Sequence, residues 1–383
     1  MDRTTAEGHR SLMIELRGIT WNHTRGYLPM VATAQRFSET HPDVSIVWEK
    51  RSLQKFADMP VEKLARQFDL LVIDYPSVGA AHGDLVALDE HLPAAFLQDQ
   101  AEKSVGQSHA SYAYGSHQWA LAIDAAAPVC GYRADLLERA RIRPPQDWEE
   151  LLEAANRGMV VLPGIAIDCL CHFHMLCVAA GEEPPDVSEE TGVGALEMLR
   201  ALMRRAAPGS EARDPIAVWE LLSTSDTAAY CPFAYGYSNY GRASFAEHPL
   251  SFGGLIEIDP GRRCRSTLGG AGLAISAHCA QRGVAVEYAQ FVASPLSQAG
   301  LYFESGGQPG HRDAWVNPAV NHAANGFFRD TLATLDQAWV RPRWPGYLEF
   351  QARASLAIHD YLWRQGDAAT TLAEIKRMAA EAR

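Results

Sequence analysis

Residues 14–48, IELRGITWNHTRGYLPMVATAQRFSETHPDVSIVW, decide the fold. Ile14–Trp21 is rich in β-branched and aromatic residues and reads as a strand. A polar loop, residues 22–26, follows it. From residue 27 to 40 the apolar side chains Leu28, Val31, Ala34 and Phe37 recur at helical spacing, predicting a helix that Pro42 ends. Residues 44–48, VSIVW, form a second strand. Strand, helix and strand at this spacing make the unit of a parallel sheet.

The same alternation continues outward. Residues 61–66 predict a short helix. Residues 69–74, DLLVID, are nearly all apolar, as in a central strand covered on both faces. Residues 119–124 and Pro128–Tyr132 are two strands parted by alanines. Asp147 opens a helix to residue 156, with Glu150 placed for a capping box. A strand at 159–162, an apolar helix at 169–180 stopped by Gly181, and an amphipathic helix at 191–206 come next. A strand at 228–233 leads into an aromatic loop, 234–240. Residues 268–276, LGGAGLAIS, restart the strand pattern. A helix at 284–303 breaks near Pro295, and 327–383 is helical except at 340–346, VRPRWPG.

A chain of 383 residues suits two to three domains or one two-lobed unit. Its 34 basic and 46 acidic side chains give a net charge of −12, which disfavours nucleic acid and anionic membranes as partners. No apolar run is long enough for a membrane helix. The seven cysteines are scattered and mostly in apolar surroundings, so buried free thiols are expected rather than a disulfide framework. Residues 1–12, MDRTTAEGHRSL, lack the apolar core of a secretory signal and are expected to be a flexible tail. No nucleophile, zinc-protease or phosphate-loop motif is present, and GGAG at 269–272 is not a dinucleotide fingerprint.

Four stretches together resemble the bacterial extracellular solute-binding proteins of the maltose- and sugar-binding group. They are residues 17–37; residues 114–132, YGSHQWALAIDAAAPVCGY, with the helix start at 144–151; residues 269–292; and residues 294–312, SPLSQAGLYFESGGQPGHR. The resemblance spans nearly the whole chain. It implies the type II periplasmic-binding-protein fold: two α/β lobes, each a mostly parallel sheet flanked by helices, with a cleft between them. The implied lobes are 13–124 with 266–312, and 125–265 with 313–383. The implied role is to close on a small polar solute, sugar-like or a small organic anion, as the substrate-binding component of an ABC-type importer. A permease is the implied partner, the chain a monomer, and no catalysis, cofactor or metal is implied. The family lies outside the cytoplasm, whereas residues 1–12 would keep the chain inside it if Met1 were the native start. An enzyme or a cytoplasmic sensor on the same scaffold is the alternative.

Ligands of such folds sit at strand ends and helix starts. Trp21, His23 and Arg25 fill the first strand-to-helix loop. There Asn22 or Thr24 could cap the helix, and Arg25 could grip a carboxylate. Asp74 and Tyr75 end the third strand. Trp119 and Asp124 flank the first crossover, and Gly270 permits close backbone approach. Tyr235 and Tyr237 offer aromatic faces to a sugar or a cation. Resemblance adds Trp344, with Arg343 beside it. In DCLCHFH, residues 168–174, Cys171 and His174 or Asp168 and His172 sit one helical turn apart. The apolar flanks favour a packed core there over a metal site, and Asp168 is the preferred cleft residue.

Overall fold

The computed structural model describes residues 13–52 and 60–383. The tail expected at residues 1–12 lies outside them. Strand β1 (Ile14–Trp21) has the expected limits. Helix α1 runs Thr24–Thr40, three residues earlier than the spacing predicts. His23, rather than Asn22 or Thr24, is its N-cap, and the His23 side chain accepts a hydrogen bond from the Arg25 amide. The buried face of α1 carries Met30, Ala34 and Phe37, while Leu28 is exposed.

Strands β2 (Val44–Arg51), β3 (Leu70–Ile73) and β4 (Leu121–Ala126) join β1 in a five-stranded sheet. β2, β1 and β3 are parallel. The fifth strand, from Gly269 to Ile275, lies between β3 and β4 and is antiparallel to both. Only Ala127 separates β4 from β5 (Pro128–Tyr132), so the chain passes directly from the first sheet to a second.

The second sheet holds β5, β6 (Tyr230–Tyr235) and β7 (Ser251–Gly253), with β5 in the centre. Its strands are antiparallel, not parallel as expected. A short, fully buried run carries no record of strand direction, because either arrangement buries both faces. The strand expected at 159–162 is reduced to one parallel bridge between Val160 and Tyr230. We number the strand Gly269–Ile275 of the first sheet β8.

Helices α2 (Ala166–Ala179), α3 (Glu189–Met203), α4 (Arg282–Ala293), α5 (Tyr347–Trp363) and α6 (Ala368–Ala382) cover the sheets. α4 packs with α1 on the first sheet, burying Met30, Phe37, Leu121, Leu273 and Tyr288. α2, α3, α5 and α6 pack together around Leu170, Phe173, Leu196, Phe350 and Ile375. A third cluster runs from Leu71 and Tyr75 through Ala125 and Val129 to Trp219 and Phe327, crossing both sheets. All seven cysteines are buried free thiols. Among the described residues, no helix is long and apolar enough to cross a membrane.

Candidate functional site

A cavity of about 660 Å³ opens between the ends of the two sheets. Its first-sheet wall is the end of β1 and start of α1 (Trp21, Arg25), the end of β3 (Asp74), Asp124 and the glycine-rich start of β8. Its second wall is Tyr235, Tyr237 and the starts of two helices. One is α2, whose first turn, Ala166, Ile167 and Asp168, faces the cavity. The other is the helix Pro215–Thr224, which Asp214 caps by accepting from the Ala217 amide at 2.8 Å. Among the described residues no side chain caps α2, and the first amides of a helix lack partners within it. α2 therefore presents N–H donors to the cavity.

Two arginines line the site, and both are committed to the protein itself. Arg25 is buried and grips Asp124 bidentately, Nε to Oδ2 at 2.8 Å and Nη2 to Oδ1 at 2.5 Å. Its Nη1 donates to the Gly236 carbonyl at 2.8 Å, beyond the end of β6, and its guanidinium lies over the Tyr237 ring at 4.5 Å. Burial opposes the Arg25 charge, but Asp124 beside it wins and holds its pKa above the ordinary value. Burial also pushes the Asp124 carboxyl up while Arg25 pulls it back; the two-pronged geometry makes this an ionised pair. Thus the carboxylate that Arg25 grips is the protein's own, and the Tyr237 face that suited a cation is covered.

Arg341 repeats the pattern. It donates to Asp74 Oδ2 at 2.7 Å, to the Tyr75 hydroxyl at 3.1 Å and to Gln351 Oε1 at 2.9 Å. Asp74 keeps a second oxygen, Oδ1, that is buried without a hydrogen-bond partner.

Asp168 is different. It is 3 % exposed, and its Oδ2 is buried with no hydrogen-bond partner. Burial, reinforced by the charge of Asp214, pushes its pKa well above the carboxylate range. Burial likewise pushes the neighbouring Cys171 thiol up to about 11, so it is neutral. Among the described residues, four carboxylates and two guanidiniums line the cavity, with no lysine.

Of the residues singled out from sequence, Trp21, Arg25, Asp74, Asp124, Asp168, Tyr235, Tyr237 and Gly270 surround this one cavity. Gly270 has φ +112°, and a Cβ there would lie 2.3 Å from the Asp124 carbonyl oxygen, so backbone packing alone requires glycine. The other five lie elsewhere. His23 is spent on capping α1 and meets Tyr237 edge-on at 4.7 Å; burial and Arg25 push its pKa down to about 4. Tyr75 is fully buried behind Asp74 and accepts from the Arg341 backbone and side chain. Trp119 donates to the Tyr114 carbonyl and packs against His82 and His117. Arg343 turns to the carbonyls of Ala110 and Ser111, and Trp344 packs on Tyr347. The His172 and His174 rings are buried in the second lobe's packing, against Phe233 and Trp339. Among the described residues no cluster suited to a metal ion occurs.

Sequence reading missed Arg341, Asp214, the α2 start at residues 165–167, and Ser355 on α5. Asp214-Pro215 was findable: aspartate before proline is a helix-start signature. Arg341 carried no signal separating it from Arg343.

Two sheets joined directly through Ala127, with helix starts and aromatic side chains gathered on one cavity between them, define a two-lobed solute-binding architecture. The family model for bacterial extracellular solute-binding proteins matches residues 32–316, and the chain belongs to that family. Solved structures agree on the type II periplasmic-binding-protein fold. The maltose-bound MalE3 of T. maritima is 19% identical at a TM-score of 0.84, over 96% of this chain and 100% of that one. A solute-binding protein of an ABC transporter from Agrobacterium radiobacter K84, in complex with ribitol, is 19% identical at 0.82, over 97% and 99%. UgpB of Mycobacterium tuberculosis, in complex with glycerophosphocholine, is 19% identical at 0.75, over 96% and 98%.

Proposed function

We propose that this protein is the substrate-binding component of an ABC-type importer, a monomer that closes on one small hydroxyl-rich solute and delivers it to a permease. The lobes are residues 13–124 with 266–312 and residues 125–265 with 313–383, and the solute occupies the cavity between them. Binding at such a site favours the closed form because the solute touches both walls.

The observation that carries this reading is the state of Arg25 and Arg341. Every guanidinium nitrogen of both is hydrogen-bonded to the chain. What the cavity offers a solute is carboxylate oxygens, helix-start amides, a hydroxyl and what Arg25 and Gly269 leave open of the Trp21, Tyr235 and Tyr237 rings. That set suits hydroxyl groups and carbon-rich sugar faces, and disfavours the small organic anion. The maltose and ribitol held by two structurally similar proteins are consistent with it.

The test is a thermal-shift panel of sugars, alditols and their acid counterparts. A one-site ligand at a hundred times its Kd stabilises by about 2.7 kcal/mol. For a chain of this length that raises Tm by about 3 °C. Sugars or alditols should give such shifts and their acids should not. Shifts from acids such as glucuronate or citrate alone would overturn the reading.

A further inference from the structure

Resting on that reading of the cavity as the solute site, we propose that the solute carries a protonated amine beside its hydroxyls, and that Asp168 holds the ammonium. Asp168 is nine-tenths buried and more, lines the cavity, and has an oxygen with no hydrogen-bond partner. An isolated carboxylate in such a place is costly unless a cation meets it. Among the described residues no side chain supplies that cation: the two arginines of the lining are paired with Asp124 and Asp74. Counting formal charges, the lining is left with an excess of two carboxylates.

The α2 helix start does not argue for an anion. Its positive end already has a carboxylate in the first turn, which is Asp168 itself. Nor do the aromatic side chains form an open cage for a quaternary ammonium. Arg25 occupies one face of Tyr237, and Tyr235 closes onto Gly269, where a Cβ would stand 2.4 Å from its ring. What remains unmet is hydrogen-bond acceptor capacity, at Asp168 Oδ2 and Asp74 Oδ1. An ammonium bearing N–H donors satisfies it and a trimethylammonium does not. Burial and Asp214 raise the pKa of Asp168, and an ammonium beside it would draw the carboxyl back to its ionised form.

The experiment is titration calorimetry on the full chain with matched sets built on hexoses, pentoses and alditols. Each set contains the neutral parent, the primary amine, the N-acetyl amine and the trimethylammonium; glucose, glucosamine and N-acetylglucosamine are one example. The amine should bind about tenfold tighter than its parent or more, as a charge-assisted hydrogen bond allows. In Asp168→Asn that ratio should fall to within about twofold. Because among the described residues no group hydrogen-bonds Asp168 Oδ2, Asp168→Asn should also hold or raise the Tm measured without ligand. A fall in that Tm would mark Asp168 as structural and overturn the proposal. Parents binding as tightly as amines, or trimethylammonium binding tightest, would overturn it and leave the solute-binding reading standing. Silence from every set would remove both.

Discussion

Replacing Arg25 with methionine removes the cation from a pair whose side chains are 4% and 0% exposed. Asp124 would then keep a buried charge with neither prong of its partner. Breaking a buried pair in this way costs about 3–5 kcal/mol. The lost Nη1 bond to the Gly236 carbonyl adds about 1 kcal/mol. With an unfolding entropy near 0.8 kcal/mol per kelvin for this length, Tm should fall by about 5–8 °C. Replacing both partners, Arg25→Met with Asp124→Leu, removes the stranded charge as well. The double variant should recover about half or more of the Arg25→Met loss, so the coupling in a double-mutant cycle, which also counts the loss of Asp124→Leu alone, should exceed about 2 kcal/mol. Urea denaturation of the four proteins supplies the energies. A loss under about 1 kcal/mol for Arg25→Met would refute the reasoning, because Arg25 would then be free to serve a ligand. Additive single and double variants would refute it equally.

Three further outcomes follow from particular residues. The folded pKa of Asp168 lies above its unfolded value, so the folded protein holds a proton that the unfolded chain releases above about pH 4. Wild-type stability should therefore drop relative to Asp168→Asn by up to about 1.4 kcal/mol per pH unit as pH rises above 4, read from paired denaturation curves; a constant difference would contradict this. His172 and His174 work in the opposite sense. Burial pushes both down to about 3, so as pH falls below 6.5 the unfolded chain takes up protons that the folded rings refuse. Each should cost up to about 1.4 kcal/mol per unit, and His172→Gln should flatten the acid limb of the stability profile. Gly270→Ala places a methyl against the Asp124 carbonyl at positive φ and should lower stability by about 2 kcal/mol in urea denaturation; a neutral result would mean that β8 is free to shift there.

Local patterns were legible wherever one element states its own case. β1 ends at Trp21 and β5 spans Pro128–Tyr132 as read, because β-branched runs bounded by loop residues need no partner to be recognised. Asp147 caps its helix as the spacing predicts, accepting from the Glu150 amide at 2.9 Å. Strand direction was not legible, since the apolar runs of β5 and β6 read the same in either sense. At the cavity, Asp74 and Asp124 could be placed at strand ends, but their partners could not. Arg341 lies 267 residues from Asp74, and nothing local distinguishes it from Arg343, which turns away to Ala110 and Ser111. The same blindness made Arg25 look available to a ligand: its partner Asp124 is 99 residues distant. His23 looked like a ligand group because imidazole is a rare cap, and only the ring's bond to the Arg25 amide reveals that role.

The most direct measurement is a crystal structure of the protein grown with the tightest-binding member of the matched panel. The account predicts one solute molecule in the cavity between the sheets, an ammonium within hydrogen-bond distance of Asp168, hydroxyls reaching Asp74 Oδ1 and the α2 amides, and the Arg25–Asp124 pair intact. A solute bound elsewhere would contradict it. So would a ligand carboxylate that displaces Asp124 from Arg25.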